Sequence, residues 1–292
     1  MSITTVLKQV VLFGIALGLV IFCTMVLFGQ EKKDYKYSKT RDFCSGNSWS
    51  NGEKVSFKEV REMTLPASGS LRVDGGKNGG VSVKGENRTD ILVKACVNTW
   101  GDSDEAAKAV AGRIRIGTSP EVKADGGDDS NYSVSYEVRV PHSTNLKLNA
   151  HNGGISINSV DGMLEFETTN GGVNLQDVAG DVIGRMTNGG VNVKLSGSSW
   201  KGNGLNVTTS NGGVNLTLPA NYAANIETGT VNGGFKSDIP SLSITTEEIK
   251  GGEWPDGHKR EKRIATSLNG GGAPVKVLTT HGGIRINSAE NE

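Results

Sequence analysis

The sequence predicts an all-β fold, a single-stranded β-helix or β-solenoid-like repeat domain with one short helix, preceded by an N-terminal transmembrane helix. Three observations predict it. Asn-Gly-Gly followed by an apolar or aromatic residue recurs at Asn78, Asn152, Asn170, Asn188, Asn211 and Asn232. Between these turns apolar residues alternate with Asn, Ser, Thr or Lys. An uncharged run, Val10 to Gly29, precedes everything else.

The repeat decides the architecture, because a near-constant period marks a stacked array. From Asn152 to Asn232 the phrase returns after 18, 18, 23 and 21 residues, and looser copies open at Asn269 ("NGGGAPVKV") and His281 ("HGGIRIN"). Gly-Gly admits positive φ, and Asn tolerates the left-handed region and bonds its own backbone, so the phrase reads as a turn. The following "GGISINS", "GGVNLQ", "GGVNVKL" and "GGVNLTL" have the period-two pattern of a strand with one buried and one wet face. A second break, at Asp161-Gly162 and Ala179-Gly180, leads into "MLEFETT" and "DVIGRMT". One repeat is therefore turn, strand, break, strand. In a solenoid, Val173 sits between Ile155 and Val191 while Asn170 stacks between Asn152 and Asn188. An up-and-down meander would use the same turns as hairpins. The solenoid is preferred because it explains why strand, turn and spacing recur together.

The apolar run is long enough to span a bilayer as a helix and lacks a small-x-small cleavage site at its end. We therefore read residues 1–30 as a membrane anchor and 31–55 as a linker. Residues 56–145 read as an N-terminal β region that caps the solenoid, and 146–292 as the repeat solenoid. Within the cap, "DSDEAAKAVAGRI" predicts the one soluble helix: Ser103 or Asp102 can cap it, Asp104 and Glu105 suit its first turn, and its alanines favour helix.

Composition narrows the function classes. The chain of 292 residues has 41 Gly and 35% hydrophobic residues, which suits a narrow, turn-rich β structure. With 31 basic and 31 acidic residues it has no global field to draw nucleic acid, and none is expected as a partner. His142, His151, His258 and His281 have no metal-ligand spacing, and no nucleophile elbow or phosphate loop occurs. Asp161, Glu165, Glu167, Asp177 and Asp181 fall in adjacent repeats, where paired carboxylates could serve glycoside cleavage, but Asp161 and Asp181 sit beside Gly as turn residues do. The reading is not an enzyme, with no metal and no cofactor. Cys44 and Cys96 lie outside the apolar run; they form one bridge in an oxidising compartment or remain two thiols otherwise.

"GGVNLQDVAGDVIGRMTNGGVNV", the ending "NGGGAPVKVLTTHGGIRINS" and the single apolar segment resemble the bacterial putative-adhesin domain family of cell-envelope proteins. The resemblance covers about Ser56 to Ser288. It implies a β-helix-like fold and an envelope location, and it supplies no catalytic residue or ligand. Lys32, Lys33, Lys36, Lys39 and Arg41 follow the apolar run, so the positive-inside rule alone would leave the domain in the cytoplasm. The resemblance and the two cysteines favour the opposite, a single-pass protein of the cytoplasmic membrane with an extracytoplasmic C-terminal domain.

The charged segment Thr245 to Arg263 is too polar for a core coil. It reads either as a solvated loop or as a partner contact, with Trp254 as anchor beside Lys259 and Arg260. The functional expectation is a membrane-anchored envelope protein presenting a rod for adhesion or scaffolding, with a glycan, cell-wall or protein partner. A membrane-associated sensory module for envelope stress and a bactofilin-like self-assembling scaffold are the alternatives.

Overall fold

The computed structural model describes residues 43–44, 54–126, 131–240, 242, 245–247 and 261–289. The apolar run at 10–29 and the contact residues Trp254, Lys259 and Arg260 lie outside the described residues. Among the described residues no helix is long and apolar enough to cross a membrane.

The chain runs through β1 (Val55–Pro66), β2 (Ser70–Asp74), β3 (Val81–Glu86) and β4 (Asp90–Gly101), then α1 (Asp104–Arg113), β5 (Arg115–Gly117), β6 (Val122–Asp125) and β7 (Tyr132–Pro141). It continues with β8 (Asn145–Ala150), β9 (Ile155–Asn158), β10 (Asp161–Asn170), β11 (Val173–Gln176), β12 (Ala179–Asn188), β13 (Val191–Lys194), β14 (Gly204–Asn211) and β15 (Val214–Pro219). Then follow β16 (Ala224–Asn232), β17 (Phe235–Ser237), β18 (Thr245–Glu247), β19 (Glu261–Leu268), β20 (Pro274–His281) and β21 (Ile284–Ala289). These make a ten-stranded sheet, in the order β1-β4-β7-β3-β9-β11-β13-β15-β21-β17, and an eleven-stranded sheet, β18-β19-β16-β20-β14-β12-β10-β8-β2-β6-β5.

The repeat is a coil of two strands. Each coil contributes one strand to the eleven-stranded sheet, crosses at the Asn-Gly-Gly turn, and contributes a second strand to the ten-stranded sheet. Successive coils pair in parallel and without slip: Val173 lies between Ile155 and Val191, and Leu164 between Leu146 and Val182. A meander would pair its strands antiparallel, so the fold is all-β and solenoid-like. Every second residue points inward, and Ile157, Leu175, Val193 and Leu216 from one sheet meet Leu148, Leu164, Val182 and Val207 from the other in one continuous core. Each such side chain, removed from water, contributes about 1.5–3 kcal/mol. Volume is matched across coils: the ring of Phe166 occupies the space where a Cβ on Gly184 would sit, 2.1 Å away.

Spatial order departs from chain order at both ends. β2–β3 lies between β6–β7 and β8–β9, and β20–β21 lies between β14–β15 and β16–β17. The stack therefore begins earlier than the boundary at 146 predicts. Leu71, Val73, Val81 and Val83 of the region read as a cap face inward as a true coil, because they have the same alternation and the same Asn78 turn as the later repeats. What caps this end is the long antiparallel pair β1–β4 on one sheet and β5 on the other. α1 packs against β4 and β1 with Ala107, Val110 and Ala111 buried. Its N-cap is Ser103, whose hydroxyl accepts from Ala106 N at 3.2 Å. At the opposite end β19 and β18 add antiparallel strands outside β16. Open coil ends expose unpaired backbone; these strands cover it on both sheets at the first end and on the eleven-stranded sheet at the other, where β17 is the edge of the ten-stranded sheet.

Cys44 and Cys96 are joined by a disulfide, with Cα atoms 5.4 Å apart, which ties the segment before β1 to β4.

Candidate functional site: an amide-lined groove

The crossing turns build the first ladder. Asn152 donates its carboxamide N–H to Asn78 Oδ1 at 3.1 Å, Asn170 to Asn152 at 2.8 Å, Asn188 to Asn170 at 2.8 Å and Asn211 to Asn188 at 2.9 Å. The next position belongs to His281, in register with Asn211 on one side and Asn232 on the other. Asn269, read from sequence as a repeat turn, is outside this ladder. It sits at φ 47° between β19 and β20, and its carboxamide donates to Ala220 O and Tyr222 O, both at 2.9 Å.

The glycines of these turns serve a different need from the one the sequence suggests. Gly153, Gly171 and Gly212 are absent from the positive-φ positions; a Cβ on any of them would fall about 2 Å from the carbonyl oxygen of the matching Gly in the neighbouring coil. Close backbone approach, rather than a left-handed turn, excludes every side chain there. Left-handed residues occur instead at the opposite edge, at Ser159 and Asp177.

Sequence reasoning missed the buried threonines. Thr168, Thr209, Thr230 and Thr279 stand two residues before the turn Asn or His and point inward, each donating its hydroxyl to the first turn glycine of an adjacent coil at 2.8–3.0 Å. The signal was the inward phase of the alternation, which runs through Thr as well as through Leu and Val. Trp200 is also buried, with its indole N–H donating to Gly180 O at 3.0 Å.

A second ladder crosses the outer face of the ten-stranded sheet. Asn192 donates to Asn174 at 2.9 Å, Asn215 to Asn192 at 3.0 Å, and Asn287 to Asn215 at 2.7 Å. Beside it runs a shallow groove of about 1090 Å³ across β11, β13, β15, β21 and β17. Its lining repeats coil by coil: Gly172, Gly190, Gly213, Gly283 and Gly234, then Asn174, Asn192, Asn215, Arg285 and Lys236, with Phe235 at the last coil. At about 4.8 Å per strand the groove extends roughly 19 Å along the stack.

Charge is segregated between the two faces. β9, β11, β13, β15, β21 and β17 contain no Asp or Glu, but they carry Lys194, Arg285 and Lys236. The opposing strands hold Asp161, Glu165, Glu167, Asp181 and Glu227, partly paired, as in Lys147–Glu165 at 2.9 Å and Lys276–Glu227 at 3.2 Å. On the ten-stranded sheet the acids are confined to the first coils. Burial pushes the Glu86 carboxyl up, but the hydrogen bond from Lys84 and the charges of Arg139, Lys84 and Arg88 outweigh it and hold Glu86 below the ordinary value. Nearby, the hydrogen bond and charge of Asp74, 2.6 Å away, raise the Lys123 ammonium.

Among the described residues no three His, Cys, Asp or Glu side chains are grouped to hold a metal. His151 is exposed on the turn edge, its Nδ1 3.1 Å from Thr169 Oγ1, and His142 Nδ1 lies 2.8 Å from Ser159 O. A smaller concavity of about 390 Å³ on the other sheet is lined by Met163, Ile183, Glu165, Glu167, Asp181 and Arg185.

A family model described as Toastrack DUF4097 matches residues 45–287, which take in both sheets and both ladders. The chain belongs to the Toastrack DUF4097 family. That placement agrees with the putative-adhesin resemblance read from the repeats. No match is found among curated proteins. Of solved structures, a putative cell adhesion protein from Clostridium sporogenes is similar over 80% of this chain and 100% of its own, with 12% identity and a TM-score of 0.42. A putative adhesin from Bacteroides fragilis is similar over 80% of this chain and 97% of its own, with 10% identity and a TM-score of 0.31.

Proposed function

We propose that this Toastrack protein is a non-catalytic, membrane-anchored envelope protein whose β-solenoid adheres to or organises an extended partner along the groove of the ten-stranded sheet. The observation that carries this reading is the coil-by-coil repetition of the groove: a glycine recurs at each of the five steps and an outward amide at three of them, with Arg285 and Lys236 at the other two, as an elongated ligand with its own repeat requires. The disulfide supports exposure to an oxidising compartment, and the apolar run at 10–29 supplies the anchor. Antiparallel strands that cover both sheets at the first end of the stack, and the eleven-stranded sheet at the other, weigh against the self-assembling scaffold, which needs open coil ends.

The test is co-sedimentation of the full-length protein, in detergent, with cell-wall sacculi from its host. The expected result is saturable pelleting that falls when Asn192→Leu and Asn215→Leu are combined in a protein of unchanged thermal midpoint. Pelleting that ignores both substitutions would remove the groove from the reading.

A further inference from the structure

We infer that the ligand of the groove is an acidic polysaccharide, lying along the stacking axis with its carboxylates toward the Lys236 and Arg285 end. This inference rests on the adhesion reading above and gives it a ligand chemistry.

The amide ladder is the first argument. A carboxamide has two N–H donors and two lone pairs on its oxygen. In Asn192 one N–H goes to Asn174 and the oxygen accepts from Asn215, so each amide is held at a fixed angle with a donor and a lone pair left over. A row of donor-and-acceptor groups about 4.8 Å apart suits hydroxyl groups, which donate and accept in turn. That spacing is close to the advance per sugar in an extended β-linked polymer. The glycines beside the ladder carry no side chain, so a flat sugar ring can approach the backbone.

Charge supplies the second argument. Lys194, Lys236 and Arg285 make no ion pair among the described residues, and none of the six strands that form this face from β9 to β17 contains an acid. The chain as a whole is neutral, so this cationic surface is a product of the fold. A carboxylate placed there gains charge-assisted hydrogen bonds without displacing an internal partner.

Other elongated ligands fit less well. An extended peptide that adds as a strand needs a sheet edge, and the groove runs across a face, meeting an edge only at the three-residue strand β17. A single-stranded nucleic acid needs aromatic platforms along its path, and Phe235 is the one aromatic side chain lining the groove.

The experiment measures calorimetric binding of a β-linked mannuronate oligomer and of its methyl ester to the full-length protein in detergent. The acid should bind at least about tenfold more tightly than the ester. R285Q combined with K236Q should erase most of that difference, because two exposed charge contacts together amount to about that factor. Both side chains are exposed, and a thermal melt checks that the variant is folded; K194Q offers a second, milder test. Equal binding of acid and ester would overturn the inference and leave the polymer reading standing. Absence of oligomer binding together with retained sacculus pelleting would do the same, whereas loss of both would sink the adhesion reading too. Equally tight binding of inorganic polyphosphate or single-stranded oligonucleotide would reduce the site to unspecific charge and also overturn the inference.

Discussion

Replacing Gly171 with Ala should be among the most damaging single-methyl additions to this fold, and the adjacent Gly172→Ala should be nearly silent. At Gly171 the new Cβ would lie 2.1 Å from Gly153 O, 2.5 Å from Gly153 C and 2.9 Å from Gly154 N. Carbon to carbonyl-oxygen contacts settle at about 3.3–3.6 Å, so the two coils would have to part by roughly 1.2 Å at this edge. All of the obstructing atoms are backbone, so no side chain can rotate away. The bonds stretched are Asn170 N to His151 O at 2.6 Å, Thr168 Oγ1 to Gly153 O at 2.9 Å and the Asn170 to Asn152 amide bond at 2.8 Å. Losing two or three of them, at about 1 kcal/mol each, costs roughly 2–4 kcal/mol, the upper range for single substitutions. The thermal midpoint should fall by about 5–15 °C for a domain of this size. At Gly172 the Cβ would stand 3.6 Å from Gly190 O, an ordinary contact, so the change should stay within about 1 kcal/mol. Gly112→Ala, in α1 with nothing within 4 Å, should stabilise by about 0.5–1 kcal/mol. Differential scanning fluorimetry with urea melts reads all three. Equal midpoint shifts for Gly171→Ala and Gly172→Ala would refute the claim that coil-to-coil approach dictates the first turn glycine.

Three further outcomes are expected. Thr209→Val removes the 3.0 Å bond to Gly189 O while keeping shape, and should cost about 1 kcal/mol in urea unfolding; no cost would mean that the carbonyl is served by the ladder alone. Reducing the Cys44–Cys96 bridge, which closes a separation of 52 residues, should destabilise by up to about 4 kcal/mol on the loop-entropy model, with C96A giving the same melt with or without reductant. Tyr222 is buried, and burial pushes its phenol from 10.0 up to about 12. Its pKa is raised on folding, so its contribution is fully present below about pH 10 and is lost as pH rises toward 12. Roughly 2–3 kcal/mol should disappear across that window, and Tyr222→Phe should flatten the alkaline limb of a stability-versus-pH curve; an unchanged limb would put the loss elsewhere.

Much of this architecture was legible because its physics is local. The alternation after each turn fixes which residues face inward, and a constant phrase with a near-constant spacing implies parallel stacking in register, so Ile155, Val173 and Val191 align as read. What could not be read is which coil neighbours which. Every coil carries the same inward pattern, so nothing in the residues says that β20–β21 slips between β14–β15 and β16–β17, or that β6–β7 stacks outside β2–β3. That permutation explains why His281 joins the Asn ladder and Asn269 does not. The glycine rule also changed meaning, since a Gly needed for backbone approach and a Gly needed for positive φ look alike in sequence. Charge was the most misleading feature. A net charge of zero suggested no electrostatic preference, but the six strands from β9 to β17 of the ten-stranded sheet carry amides and three cations and no acid, while the strands facing them hold acids.

The adhesion reading depends first on which side of the membrane the rod occupies. The direct measurement is trypsin treatment of intact cells and spheroplasts, following cleavage at the Lys- and Arg-rich sequence from Lys259 to Arg263, with a cytoplasmic protein as lysis control. Cleavage in unlysed cells or spheroplasts is the predicted result and places the groove where an envelope polymer can reach it. Protection until lysis would contradict it, leaving the domain on the cytoplasmic side as the basic residues after the apolar run would have it.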